Sequence, residues 1–188
     1  MIALRDRIAW PRLLLILPIM LMACSTALPP PLEMEDSSYG MIFGNVQSGV
    51  MITEVKLHEY GKVYLPPFRS PPKVHVYPNG DFIAENLKPG KYYLSGFLSA
   101  DFKTFNLASL NLKPFQRVFR VKPASLLFAG SYQLSGPLVF DNKARGDEFF
   151  IQKVRLPGER DILRRIYDIT EGTSWQRRVD KRLKELRL

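Results

Sequence analysis

One cysteine and two histidines are the side chains with the widest chemical repertoire in this 188-residue chain. A lone cysteine, Cys24, cannot form an intramolecular disulfide, a cysteine-rich zinc site or an iron–sulfur cluster. Two histidines, His58 and His75, leave little for a histidine metal cage. The sequence therefore indicates no metal site and no cofactor, and it argues against most classes of metalloenzyme.

Catalytic motifs are scarce as well. The chain has no Gly-rich phosphate loop, no G-x-S-x-G elbow, no H-E-x-x-H pair and no EF-hand spacing. Asp147 and Glu148 are adjacent, but neighbours in a strand point to opposite faces, which favours a solvated start of a strand over paired catalytic carboxylates or a calcium site. We therefore identify no catalytic residue. A Ser/His/Asp arrangement assembled only in three dimensions stays open.

Tyr92 and Tyr93 are a candidate ligand surface. Neighbouring aromatic rings can stack on a carbohydrate, although aromatic residues in alternating strands more often pack in the core of a sandwich. The pair is therefore expected to belong to the core, with carbohydrate stacking as the alternative.

The first 23 residues have the pattern of a secretory leader. Arg5, Arg7 and Arg12 precede an apolar run of 11 residues, Leu13–Ala23. A membrane-spanning helix needs about 20 apolar residues, so this run is too short to be a lasting transmembrane helix. We expect residues 1–23 to be a signal peptide that is removed on export. Export makes nucleic acid a poor partner for a chain whose net charge is +9.

The end of the leader, Leu21-Met22-Ala23-Cys24, resembles the lipobox of bacterial lipoproteins. In that family the cysteine sulfur receives a diacylglyceryl group, a peptidase cuts before the cysteine, and the new amino terminus is usually acylated, for example with palmitate. The resemblance implies that Cys24 is the lipid attachment site and that its acyl chains hold the protein on a membrane. Ser25 implies, within the family, the outer membrane of a Gram-negative cell. The alternative is a soluble secreted protein cut near Ala23 or Ala27.

A short proline-rich segment follows the cysteine. Residues 24–38 include Pro29–Pro31, and consecutive prolines remove backbone donors and favour an extended conformation. We interpret this segment as a tether that reaches about 40 Å at roughly 3.1 Å per residue.

Residues 39–156 have the apolar pattern of β-strands. Two runs, Met51–His58 and Lys91–Leu98, alternate apolar and polar residues. The side chains of the first run that are expected to face a core are Met51, Thr53, Val55 and Leu57. In the second run, Tyr92, Leu94 and Leu98 alternate with Tyr93 and Phe97. Further strand candidates are residues 73–77, 82–84, 115–121, 125–134 and 148–156. Short strands in this number predict a mainly β fold, either an antiparallel β-sandwich or a small barrel.

Asn79-Gly80 and Pro89-Gly90 predict turns in which glycine adopts a positive φ. The run Asn79–Leu94 that contains both turns resembles the G-x-F-x-x-x-x-L-x-P-G-x-Y-x-L stretch of transthyretin-like and carboxypeptidase-regulatory-like sandwiches. Gly44-Asn45-Val46 and residues 52–57 are similar to the opening strands of the same modules. The resemblance spans roughly Gly40–Leu98 and implies a transthyretin-like or immunoglobulin-like sandwich with an accessory or adhesive role and no catalytic residue.

The C-terminal 32 residues, 157–188, change to a helical pattern. Two helices are predicted, with a break at Glu171-Gly172 and a cap at Thr173 or Ser174. Their apolar stripes are Ile162, Leu163, Ile166 and Ile169, then Trp175, Val179, Leu183 and Leu186. The polar side of the second helix is basic, carrying Arg177, Arg178, Lys181, Arg182, Lys184 and Arg187. That side is interpreted as a solvated face, with anionic lipid headgroups or an acidic protein partner as alternatives.

Together these patterns predict a signal peptide, a lipidated cysteine with its tether, a β-sandwich over residues 39–156 and a short two-helix element. The expected function is that of a non-enzymatic binding or structural module of the cell envelope, attached to the membrane through Cys24 and contacting an unknown envelope protein. The alternatives are an envelope hydrolase or modifying enzyme, and an accessory subunit of an envelope transport or secretion apparatus.

Overall fold

The computed structural model describes residues 37–64, 70–100, 104–106, 118–135 and 150–187, which belong to one compact unit. The signal peptide, Cys24, most of the tether and the Asp147-Glu148 pair lie outside these residues, and so do parts of the strand candidates 115–121 and 148–156.

The described residues form nine strands and two helices. The strands are β1 (Gly40–Ser48), β2 (Ile52–Glu59), β3 (His75–Val76), β4 (Asp81–Leu87), β5 (Gly90–Ser99), β6 (Thr104–Asn106), β7 (Phe119–Val121), β8 (Leu126–Ser135) and β9 (Phe150–Val154). Sheet A has the order β3-β4-β1-β8-β9, and sheet B has the order β2-β5-β6, with β7 also paired to β5. Two sheets followed by two helices confirm the predicted mainly β sandwich.

One strand pairing departs from an antiparallel sandwich. Among the described strands, β1 and β8 run parallel, whereas the other pairs are antiparallel. A parallel pair needs a long crossover, and here the crossover is the whole chain between β1 and β8, which includes sheet B.

The core between the sheets receives side chains from both of them. Sheet A contributes Ile42, Val46, Phe82, Ala84, Leu87 and Tyr132, and sheet B contributes Ile52, Val55, Leu57, Tyr92, Leu94 and Phe97, among others. The predicted inward positions Val55 and Leu57 are therefore confirmed, and Tyr92 and Leu94 lie on the same side of β5, as the alternation predicted.

Two predicted inward positions, Met51 and Thr53, are wrong, and the alternation in β5 breaks before Leu98, because β-bulges shift the strand register. Near the start of β2 the register shifts between Ile52 and Glu54, so Ile52 is buried while Met51 and Thr53 are exposed. A second shift, opposite Lys56 and Leu57, adds one residue to β5. Beyond this bulge, the alternate set of β5 side chains faces the core.

As a result, Phe97 is 0% exposed in the core. Leu98, which the alternation placed on the same side as Tyr92 and Leu94, lies on the outer face and is half-buried. The glycine prediction is also half wrong. Gly80 has φ +82, as expected, but Gly90 opens β5 outside the left-handed region.

The two helices match the sequence prediction. Helix α1 spans Glu159–Ile169 and helix α2 spans Ser174–Glu185, with Gly172 at φ +76 between them. Thr173 is the N-cap residue of α2, although its hydroxyl donates to the carbonyl of Thr170 at 2.7 Å instead of capping the helix.

Both apolar stripes pack on the outer face of sheet A. They form a second core with Met41, Phe43 and Ile83, and Trp175 is 0% exposed within it. The molecule therefore has three layers in the order helices, sheet A, sheet B. Burying the stripe of a helix against a sheet face is the usual source of stability for short helices.

Candidate functional site

The outer face of sheet B carries a cluster of aromatic side chains that we call the aromatic surface: His58, Tyr60, Tyr64 and Tyr93. His58 and Tyr93 are paired across β2 and β5, and their ring centroids are 5.7 Å apart. Tyr64 meets His58 edge-on at 5.0 Å, and Tyr60 meets Tyr93 edge-on at 6.4 Å. The end of β2 and the turn after it therefore bring the four rings together.

Local geometry holds the turn against the sheet. The Glu59 backbone N–H donates to the Tyr64 hydroxyl at 2.8 Å, and the Tyr60 N–H donates to the Lys91 carbonyl at 2.7 Å. The outermost ring is that of Tyr60, which is 60% exposed. Exposed tyrosine is enriched at protein interfaces because its ring buries a large area while its hydroxyl stays wet.

Electrostatics keep the aromatic surface uncharged near neutral pH. Burial, and then the positive charge of Lys56, lowers the pKa of His58 from 6.5, against the opposing effect of Glu54. A neutral imidazole beside three tyrosines makes a patch with apolar ring surface and polar edges. Such a patch can bind flat or apolar groups of a partner.

The expectation that Tyr92 and Tyr93 both belong to the core is confirmed for Tyr92 and wrong for Tyr93. Tyr93 is half-buried on the outer face, whereas Tyr92 is 3% exposed in the core and its hydroxyl donates to the Lys88 carbonyl at 2.9 Å. Burial, followed by Glu59 and Tyr64, raises the pKa of Tyr92 to about 12. The aromatic neighbours of Tyr93 are His58 at the end of β2 and Tyr60 in the turn after it.

The second histidine lies on sheet A. His75 Nε2 is 3.0 Å from Glu85 Oε1, and both side chains are only 9% exposed. Glu85 belongs to a bulge of β4 in which Asn86 has φ +54. Burial raises the pKa of Glu85, while His75 and Lys73 act in the opposite direction. The other carboxylate oxygen, Oε2, has no hydrogen-bond partner among the described residues.

A buried network joins the turn at Gly80 to helix α1. Arg165 donates to both carboxylate oxygens of Asp81, from Nε at 2.6 Å and from Nη2 at 2.9 Å, and the Asp81 side chain is 2% exposed. Asn45 and Asn79 each donate to the same carboxylate at 2.8 Å. Every oxygen of this carboxylate is satisfied by the fold, which indicates a structural clamp.

Among the grooves on the described surface, two are similar in size. One, of about 380 Å³, lies between the β1–β2 turn and the turn Tyr77–Gly80. The other, of about 370 Å³, is lined by residues of β7 and β8 with Glu159 and Arg182. Neither groove is lined by His58, His75 or Glu85, so the histidines do not face these cavities.

The exposed side of the helices is basic. Some cations are paired: Arg182 lies 2.9 Å from Glu159, and Lys184 lies 2.6 Å from Asp180, one turn before it in α2. Five exposed cations form no ion pair with a described residue, and we call them the basic helical surface: Arg160, Arg164, Arg177, Lys181 and Arg187.

Within the described ranges, no group of three or more metal-ligating side chains is present, and no helix has the length and apolar character needed to cross a membrane. Sequence reasoning missed the Glu85 partner of His75 and the roles of Tyr60, Tyr64 and Arg165. The available signal for Glu85 was a carboxylate next to a core position in the aromatic-rich run Asn79–Leu94.

No family model and no curated protein matches the chain. Among solved structures, it is similar to a crystal structure of the major pilin subunit of Bacillus cereus, with 16% sequence identity and a TM-score of 0.27. The similarity covers 62% of this chain and 26% of the pilin chain, so the chain corresponds to about a quarter of the pilin subunit's length. A likeness at this TM-score has no bearing on function.

Proposed function

We propose that this protein is a lipid-anchored, non-enzymatic module of the Gram-negative cell envelope that binds a protein partner on the periplasmic side of the outer membrane. The observation that carries the proposal is the aromatic surface. It lies on the outer face of sheet B, on the side of the sandwich away from the helices. Among the described residues, the helices cover the outer face of sheet A, and none of them covers the outer face of sheet B in the same way.

The lipid anchor is supported by the sequence alone. Cys24 is the single cysteine and ends a leader that resembles a lipobox. Wild-type protein should sediment with membranes after a high-salt wash and incorporate a clickable palmitate analogue. The Cys24→Ala variant should incorporate no palmitate analogue and should be either uncleaved or soluble, while a Ser25→Ala control should behave like wild type. A Cys24→Ala variant that is still cleaved and still held by membranes would overturn the anchor.

Partner binding can be tested with a photo-crosslinking amino acid placed at Tyr60 in intact cells. Tyr167 supplies a matched control, because it is an exposed tyrosine, at 37%, on the opposite side of the molecule. We expect a discrete crosslinked protein from position 60 and none from position 167, and mass spectrometry then identifies it. No protein adduct at position 60, or the same adducts at both positions, would overturn the assignment of the aromatic surface. A captured channel or secretion component would specify the accessory-subunit alternative.

The second candidate function, an envelope hydrolase, is favoured by one observation: His75 lies beside a carboxylate whose pKa is raised. An enzyme built on this pair needs substrate to reach it. Both side chains are nine-tenths buried and line neither described groove, which supports the binding module instead. Diethyl pyrocarbonate labelling of the two histidines distinguishes the hydrolase from the binding module, because only the hydrolase needs an accessible His75.

A further inference from the structure

The five residues of the basic helical surface come from both helices. Arg160 and Arg164 lie one turn apart on α1, Arg177 and Lys181 lie one turn apart on α2, and Arg187 follows the end of α2. All five are exposed. Three acidic residues of the helical element are exposed as well: Asp168 in the last turn of α1, Glu171 just after it, and Glu185 of α2, which pairs with Arg182 at 3.1 Å.

The start of the sandwich lies beside α2. Arg178 Nη1 donates to the Tyr39 carbonyl at 3.3 Å, and the Ala124 N–H donates to the same oxygen at 2.9 Å. Tyr39 immediately precedes β1 and follows the proposed tether. The described residue nearest the start of β1, Tyr39, therefore lies on the helix side of the domain.

The apolar sides of both helices are already used. Ile162, Leu163 and Ile166 of α1 and Trp175 and Val179 of α2 are each 0% exposed against sheet A. The helices consequently have no apolar stripe left to insert into a bilayer, and any contact with lipid must use their charges. Basic side chains near an anionic surface are attracted within about a Debye length.

From the positive charge of these five side chains and from the position of Tyr39 beside α2, we propose that the basic helical surface lies against the anionic headgroups of the leaflet that holds Cys24. This proposal rests on the lipid anchor proposed above. It orients the molecule, because sheet B and its aromatic surface then face away from the membrane and toward the partner.

The test uses the mature chain, residues 24–188, with Cys24→Ser so that no lipid is attached. Sedimentation is measured with vesicles of phosphatidylcholine alone and of phosphatidylcholine mixed with phosphatidylglycerol. We expect binding to the mixed vesicles at low salt, none to phosphatidylcholine, and release as salt rises.

Charge reversal locates the binding surface. The double variant Arg177→Glu/Lys181→Glu should reduce partitioning at least about tenfold. The matched control Lys62→Glu/Lys91→Glu has the same net charge but changes exposed lysines of sheet B and its adjoining turn, and it should retain most of the binding. No binding to the mixed vesicles, or an equal loss in both variants, would overturn the proposal and leave an acidic protein as the partner of the helices.

Orientation on the intact lipoprotein is measured separately. In lipidated protein Cys24 carries the anchor, so a cysteine introduced by Arg164→Cys or Lys91→Cys is the single free thiol for a fluorophore. Nitroxide-labelled headgroups should quench the probe at position 164 and spare the probe at position 91. Equal or reversed quenching would refute the orientation. The vesicle assay contains no lipidated protein, so its outcome is independent of the Cys24→Ala fractionation that tests the anchor.

Discussion

The outer faces of sheet A and sheet B differ in how much of their surface is buried. The outer face of sheet A is covered by two helices, and its charged residues Asp81 and Glu85 are buried in ion pairs with Arg165 and His75. The outer face of sheet B has aromatic rings that contact one another and remain partly open to solvent. We infer that the helix side contributes stability, whereas the sheet B side has ring surface available for binding.

The largest effect is expected from truncation at the centre of the helix layer. Trp175→Ala removes a fully buried indole and should lower the free energy of unfolding by roughly 3 to 5 kcal/mol. Tyr60→Ala, on the aromatic surface, should change it by no more than about 0.5 kcal/mol. Urea denaturation of the two variants measures both. Comparable losses would contradict the division between a stabilising side and a binding side.

Turn glycines provide a second comparison. Gly80→Ala should cost about 1 to 3 kcal/mol, because Gly80 has φ +82 and an added Cβ would collide with the Val46 carbonyl oxygen. Gly90→Ala should stay within about 1 kcal/mol of wild type, since the nearest atom would be 3.5 Å from its Cβ, an ordinary contact. Thermal melts that shift equally for both variants would contradict the assigned turn geometries.

The buried pair on sheet A predicts a pH effect. The folded-state pKa of Glu85 is raised above 4.5 by burial, so the folded protein binds this proton more tightly than the unfolded chain does. The resulting stability is present below pH 4.5 and is lost as the pH rises through the raised pKa. Glu85→Gln should remove this loss.

Unfolding curves at a series of pH values, from below 4.5 to neutral, give the measurement. We expect the stability of Glu85→Gln relative to wild type to increase across the window and then to level off. A difference that stays constant with pH would show that Glu85 does not titrate differently in the folded protein.

The last comparison changes no residue and measures the chemical reactivity of the two histidines. Diethyl pyrocarbonate at neutral pH should label His58, which lies half-buried on the aromatic surface with a lowered pKa, and should spare His75. Peptide mapping of the native protein distinguishes the two sites, with urea-unfolded protein as the control in which both react. Rapid labelling of native His75 would favour the enzyme alternative.

Much of the fold could be predicted from periodicity. The alternation in Met51–His58 and the stripe from Trp175 to Leu186 each depend on neighbours within a few residues, and both elements form as expected. The alternation failed at Met51, Thr53 and Leu98, because a bulge inserts one residue and reverses which side faces inward. A bulge depends on the partner strand, so one strand's sequence does not reveal it.

Residue types and local spacing in the sequence were enough to determine most of the elements, the apolar stripes of the two helices and the absence of common catalytic motifs. Only the tertiary structure decided which distant side chains meet. Asp81 and Arg165 lie 84 positions apart yet form a bidentate pair, and the parallel alignment of β1 with β8 encloses sheet B within its crossover. The aromatic surface likewise needs β2 paired with β5 in one register. Such contacts arise from how whole elements pack, and local sequence patterns carry no information about that geometry.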